Sequence, residues 1–155
     1  MLVFDTADCF GDQIRSMADV ERGIDWARIN PATGPVFVRH VEPGDVLVVR
    51  IEDIEVHERG IMCTGGGFGA LAHRIPELHW RFVDVAEGLV HWSDDVAIPA
   101  LPMIGVIGVA PAGEPVPCGT PGAHGGNMDT KLIAAGATVY LPVQVPGGLL
   151  AMGDL

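Results

Sequence analysis

Serine and lysine are almost absent from this 155-residue chain. Ser16 and Ser93 are the only serines, and Lys131 is the only lysine. Neither serine sits in a GxSxG turn, which removes the nucleophile elbow of an α/β-hydrolase. A serine–serine–lysine hydrolase lacks its setting too, because neither serine has a Gly/Ser-rich context. The three cysteines, Cys9, Cys63 and Cys118, are widely spaced and form no CxxC pair. That excludes a zinc ribbon and a thioredoxin motif, and it leads to the expectation of reduced thiols in a cytoplasmic protein. No apolar run reaches the ~18 positions of a membrane helix. The N-terminal MLVFDTADC has no basic start, so no secretory leader is expected. The stretch at residues 60–70 contains the run GGGFG, which has neither GxGxxG spacing nor a following GK[ST], and it reads as a flexible surface loop.

Positive charge is scarce as well. Twenty acids face nine bases, for a net charge of −11. Such a surface repels a phosphate backbone and an anionic membrane, so neither nucleic acid nor membrane is an expected partner. A neutral or cationic small molecule, or a metal ion, suits this field.

What the chain does have is 21 glycines and 12 prolines, interleaved with aliphatic residues. That density breaks long helices and favours short strands joined by turns. Strands are expected at residues 36–41, 46–51, 79–85, 88–92, 96–99 and 138–143. The first two flank Glu42-Pro43-Gly44-Asp45 and would make a hairpin. Residues 20–29 look helical, weakened by Gly23, and a second short helix is expected after Asp129. Residues 4–14 begin strand-like, and the Gly-rich residues 146–154 would close the chain as a turn. The expected fold is mainly β, a jelly-roll-like β-sandwich with one or two short helices, in one domain over residues 1–155.

The segment GTPGAHGGNMDTK, residues 119–131, carries the most chemistry. His124 and Asp129 stand five residues apart around Gly125 and Gly126, whose flexibility lets both side chains turn to one spot. Imidazole and carboxylate together are a ligand set for zinc and similar ions. Asn127 offers an amide donor for a developing oxyanion. The alternative is a polar turn whose histidine caps a backbone carbonyl. Cys118, six residues before His124, with Lys131 leaves a Cys–Glu–Lys arrangement formally open, against an inert buried thiol. The other histidines, His40, His57, His73, His79 and His91, read as solvated or structural.

Several segments, in order along the chain, resemble the acetamidase/formamidase family. They are DCFGDQI at residues 8–14, NPATGPVFV at 30–38, EPGDVLVVRIEDI at 42–54, IPALPMIGVIGVAPA at 98–112, TPGAHGGNMDTK at 120–131 and VYLPVQVPGGLLAMGDL at 139–155. The resemblance implies hydrolysis of short linear amides, such as formamide or acetamide, to ammonia and a carboxylate. It implies a divalent metal, zinc first, that activates water, and a homo-oligomer. It assigns His124 and Asp129 as metal or catalytic residues and adds Asp8 and Asp154 as further metal candidates. Gln13, Gly125 and Gly126 become candidates for substrate binding, with Asn127 beside them as a catalytic candidate. The family runs on past Gly-Asp-Leu into a histidine and further acids, so a truncated chain is expected. The alternative function is a catalytically inactive β-sandwich remnant that only binds ligand or self-associates.

Overall fold

The computed structural model describes all residues from Met1 to Leu155. Backbone packing divides them into two compact units, Met1–Glu55 with Pro102–Leu155, and Val56–Leu101.

The first unit holds two sheets. One has four strands in the order β1 (Thr33–Val36), β10 (Leu150–Gly153), β7 (Val106–Gly108) and β8 (Gly125–Asn127). The other is an antiparallel pair of β2 (Val46–Arg50) and β9 (Thr138–Pro142). Their shared core is aliphatic: Ile51, Ile104, Ile107, Val109, Ile133, Leu141, Leu150 and Met152, with Leu47, Val49 and Val139 packed against it. Strand alternation explains this sorting, since successive side chains point to opposite faces. Leu47, Val49, Val139 and Leu141 turn inward from β2 and β9. Ile107 and Met152 stand opposite each other on β7 and β10. Ile107 is 0% exposed. A mainly β structure with two sheets around one apolar layer agrees with the sandwich expected from sequence.

The second unit is a meander of four antiparallel strands in sequence order: β3 (Arg59–Thr64), β4 (His79–Ala86), β5 (Leu89–Ser93) and β6 (Val96–Pro99). Val83 is its one buried apolar side chain. Arginines stack on its rings. Arg59 lies 3.9 Å above Phe82, and Arg81 lies 4.7 Å from Trp92, donating also to the Trp92 carbonyl at 2.7 Å. Such cation–π contacts cover aromatic surface that the thin sheet leaves open.

Several local expectations need correction. β1 and β2 do not form a hairpin: β1 pairs with β10 and β2 with β9, so the Pro-Gly-Asp turn moves the chain between sheets. Residues 59–64 are strand rather than loop, and the turn begins at Gly65. The helix α1 covers only Met17–Arg22, because Gly23 takes φ 87 and ends it. A separate 3-10 turn follows at Trp26–Arg28. No helix follows Asp129; residues 131–136 form turns, and Gly136 at φ 86 redirects the chain into β9. Residues 4–14 contain no strand. Of the segment read as a closing turn, residues 146–147 do turn, but residues 150–153 are β10, which lies between β1 and β7.

Candidate functional site

The loop at residues 119–131 is pinned by its glycines. Gly125 and Gly126 take φ 96 and 91, in the left-handed region that ordinary side chains avoid. A Cβ on Gly125 would run into the Ile107 carbonyl oxygen. A Cβ on Gly126 would stand 2.5 Å from the Thr120 carbonyl oxygen and 3.0 Å from His124 Nε2. The two glycines therefore let β8 lie flat against β7 and leave room for the imidazole. His124 is half-buried, with its ring folded between Gly122 and Gly126 and its carbonyl accepting from Val109 N–H at 2.9 Å. No ion pair joins His124 to Asp129.

Asp129 meets a different partner. The bare Cα of Gly105 leaves a gap that two carboxylates enter. A Cβ built there would stand 2.7 Å from Asp154 Oδ2 and 2.9 Å from Asp129 Oδ1. Gly105 also ties their backbones together. Its N–H donates to the Asp154 carbonyl at 2.8 Å, and its carbonyl accepts from Met128 and Asp129 N–H at 2.9 and 3.2 Å. Asp129 and Asp154 both adopt positive φ, 44 and 60. Aspartate tolerates that conformation better than most residues, and such outliers gather at functional sites. In the sequence, the glycines of residues 101–111 read as close backbone approach or a bend, and Gly105 carried no site role.

Asp8 adds to the negative field on this pair. Its Oδ1 accepts from Phe10 and Asp12 N–H, both at 2.9 Å, which holds the turn at residues 8–12. Its charge nevertheless reaches Asp154. Burial first, then the negative charges of Asp129 and Asp8, push the Asp154 carboxyl up to about 6 from 3.8. Like charges in a poorly solvated place oppose a further ionisation. Gln13 lies nearby in sequence, but its amide is engaged in backbone bonds. Nε2 donates to the Phe10 and Asp25 carbonyls, and Oε1 accepts from Asp25 N–H at 2.9 Å. Asn127 sits on β8 opposite Val106, and its Oδ1 is buried without a hydrogen-bond partner. A buried acceptor left this way costs about 1–3 kcal/mol unless a donor or cation reaches it.

Whether this set suits a cation follows from its donors. Converging carboxylate oxygens, mutual repulsion and an unsatisfied buried amide oxygen all favour a bound positive charge. Oxygen donors of this kind serve hard divalent ions as readily as zinc. No three His, Cys, Asp or Glu side chains stand close enough together to enclose a metal unaided. The chain thus fits a divalent ion in charge and donor type but brings only part of a coordination shell.

What the fold builds here is a carboxylate pair cradled at Gly105, the residue just before β7 of the β-sandwich. The sequence profile of the Acetamidase/Formamidase family matches residues 1–117 and 116–155. The chain belongs to that family. A putative formamidase of Schizosaccharomyces pombe is 29% identical over 209 aligned positions, covering 96% of this chain and 51% of that protein. A crystal structure described as a predicted acetamidase/formamidase of Thermoanaerobacter tengcongensis is 54% identical, with a TM-score of 0.93, covering 96% of this chain and 50% of that one. The acetamidase of Bacillus halodurans is 46% identical with a TM-score of 0.90, again over 96% and 50% of the two chains. The chain therefore spans about half the length of the relatives it matches.

Proposed function

We propose that this chain supplies one side of an amidase site that hydrolyses short linear amides of the formamide or acetamide type. The single observation that supports this most is the meeting of Asp129 and Asp154 at Gly105, on segments that match an amidase family. Burial, with the charges of Asp129 and Asp8, pushes the Asp154 carboxyl up to about 6, so its proton lies within reach of neutral pH. A carboxylate in that state takes a proton from water as the oxygen attacks the amide carbon. It then returns the proton to the departing nitrogen, and ammonia leaves with a carboxylate as co-product. Asn127 is the donor assigned to the developing oxyanion, and Gly125 and Gly126 are assigned to the wall beside the substrate. Gln13 keeps the turn bearing Asp8 in place.

A divalent ion, zinc or an oxygen-preferring equivalent, would be held by Asp129 and Asp154 at Gly105, with Asp8 and His124 as further ligand candidates that do not close a shell with them in this fold. When bound, it would polarise the amide carbonyl and acidify water. A compartment such as the cytoplasm and a homo-oligomeric state belong to the same proposal. A second reading has its own support. The partial coordination shell favours a chain that binds ligand or self-associates without turnover.

Ammonia release from formamide and acetamide separates the two readings. Purified protein supplied with zinc or manganese should release ammonia well above an Asp129→Asn control. Equal release from both proteins sinks the amidase reading for this chain and leaves the binding role.

A further inference from the structure

Three segments carry the candidate site, and they lie far apart in sequence: the turn at residues 8–12, the loop at residues 119–131, and the end of β10 at Asp154. One dipeptide, Asn30-Pro31, touches all three. Asn30 N–H donates to the Cys9 carbonyl at 2.6 Å, inside the turn that holds Asp8. A Cβ on Gly119, at the root of the loop, would stand 3.6 Å from Asn30 Nδ2. A Cβ on Gly153, next to Asp154, would run into the Pro31 carbonyl oxygen and stand 3.2 Å from Ala32 Cα. The turn leans on the same stretch a second time. A Cβ on Gly11 would stand 3.2 Å from the Arg28 carbonyl oxygen and 3.8 Å from Pro31 Cγ.

Backbone conformation marks the place. Asn30 takes φ 52, a left-handed value, directly before a proline that favours extended backbone. Outliers of this kind persist only where the surroundings hold them. Gly153 is a different case. It lies in β10 without a positive φ, so strand geometry does not ask for glycine there. What asks for it is the close approach of Pro31.

From this we infer that Asn30-Pro31, seated on Gly153, is a positioning strut that sets the Asp8 turn against the Asp129 and Asp154 carboxyls. These three residues act through the carboxyls they place. The charge of Asp8 does act on Asp154. The strut's part in turnover rests on the amidase reading, but the placement itself does not and is measured without substrate.

The test is made on this chain in chelator at pH 7.5. Gly153→Ala adds the Cβ that Pro31 excludes. Gly113→Ala is the control, because Gly113 has no positive φ and a Cβ there meets nothing within 4 Å. Hydrogen exchange followed by NMR reads the strut. The Asn30 amide should exchange at least tenfold faster in Gly153→Ala, while the β9 amides of the same unit keep their rates and Gly113→Ala matches the parent. A double-mutant cycle reads the placement, which loss of packing alone would not alter. Asp8→Asn and Asp154→Asn each remove one charge, and Asp8→Asn keeps an oxygen to accept from Phe10 and Asp12 N–H. A repulsion removed once cannot be removed twice, so the double variant should melt about 1 °C or more below the sum of the single shifts. In the Gly153→Ala background the shifts should simply add. An equal shortfall in both backgrounds overturns the inference, and so does an Asn30 amide that keeps the parental rate. If Gly153→Ala does not fold, Gly11→Ala makes a lesser intrusion at the other end, against Arg28, and both readouts should move the same way. Additive shifts in the parent would remove the strut and leave the amidase reading. Absence of ammonia release from the parent would remove the amidase reading and leave both readouts standing.

Discussion

Gly125 and Gly136 permit a paired measurement of what the His-Gly-Gly segment does for the fold. Both take similar positive φ, 96 and 86. They differ in surroundings. A Cβ at Gly136 meets nothing within 4 Å, whereas one at Gly125 meets the Ile107 carbonyl oxygen, Gly108 Cα at 2.9 Å and Leu141 Cδ2 at 3.2 Å. Gly136→Ala therefore carries only the backbone penalty, about 1–2 kcal/mol. Gly125→Ala carries the same penalty plus overpacking of roughly 1–3 kcal/mol, for a total of about 2–5 kcal/mol. The reduction in unfolded-chain freedom is the same for both and cancels in the comparison. Urea unfolding of both variants beside the parent reads the difference from the midpoints at constant slope. Losses that agree within about 0.5 kcal/mol would refute the claim that close approach to β7, rather than φ alone, demands glycine here.

Three further outcomes are expected. In chelator-treated protein the Asp154 carboxyl lies near 6, above its ordinary 3.8, so its contribution is fully present below pH 4 and is lost as pH rises through 6. Asp154→Asn should remove that loss, gaining about 1–2 kcal/mol at pH 7.5 after allowance for solvent screening of a half-exposed group; a parent and variant with parallel stability–pH curves would contradict it. Gly105→Ala should drive Asp129 and Asp154 apart and abolish the rise in Tm that manganese or zinc gives the parent, which differential scanning fluorimetry would show; an undiminished rise would remove Gly105 from the site. Ile107→Ala, at a side chain 0% exposed, should cost about 2–5 kcal/mol in the same urea titration, and a loss below 1 kcal/mol would mean that the two sheets of the first unit do not share a core there.

The strands that announced themselves were those with local patterning. β2, β4, β5, β6 and β9 all fall on β-branched or aromatic runs, and their positions agree with the reading of the residues. β8 and β10 were missed because Gly-Gly-Asn and Leu-Ala-Met-Gly look like turns to any short-range rule. Long-range pairing makes them strands: β10 fills the place between β1 and β7, and glycine lets β8 press against β7. The hairpin error has the same origin, since register between distant segments leaves no mark on either one. In the candidate site, Asp8, Gln13 and Asp154 were legible only through family resemblance. His124 and Asp129 drew attention by their spacing. The meeting of Asp129 with Asp154, 25 positions on, depends on an empty volume at Gly105 that no periodicity records.

The place of β10 has a consequence for how the chain is made. β1 ends at Val36 and its partner starts at Leu150, so well over a hundred residues must be synthesised before the two can join. At ribosomal speed that is roughly ten seconds. Through that interval β1 and β7 lie apart with open backbone edges, and the first four-stranded sheet cannot form by stepwise addition. The meander β3 to β6 joins neighbours only and is free to pair as it emerges. The order of folding is thus expected to run against the order of importance: the meander first, and the sheet whose strand ends lead into both carboxylates only when its last strand arrives.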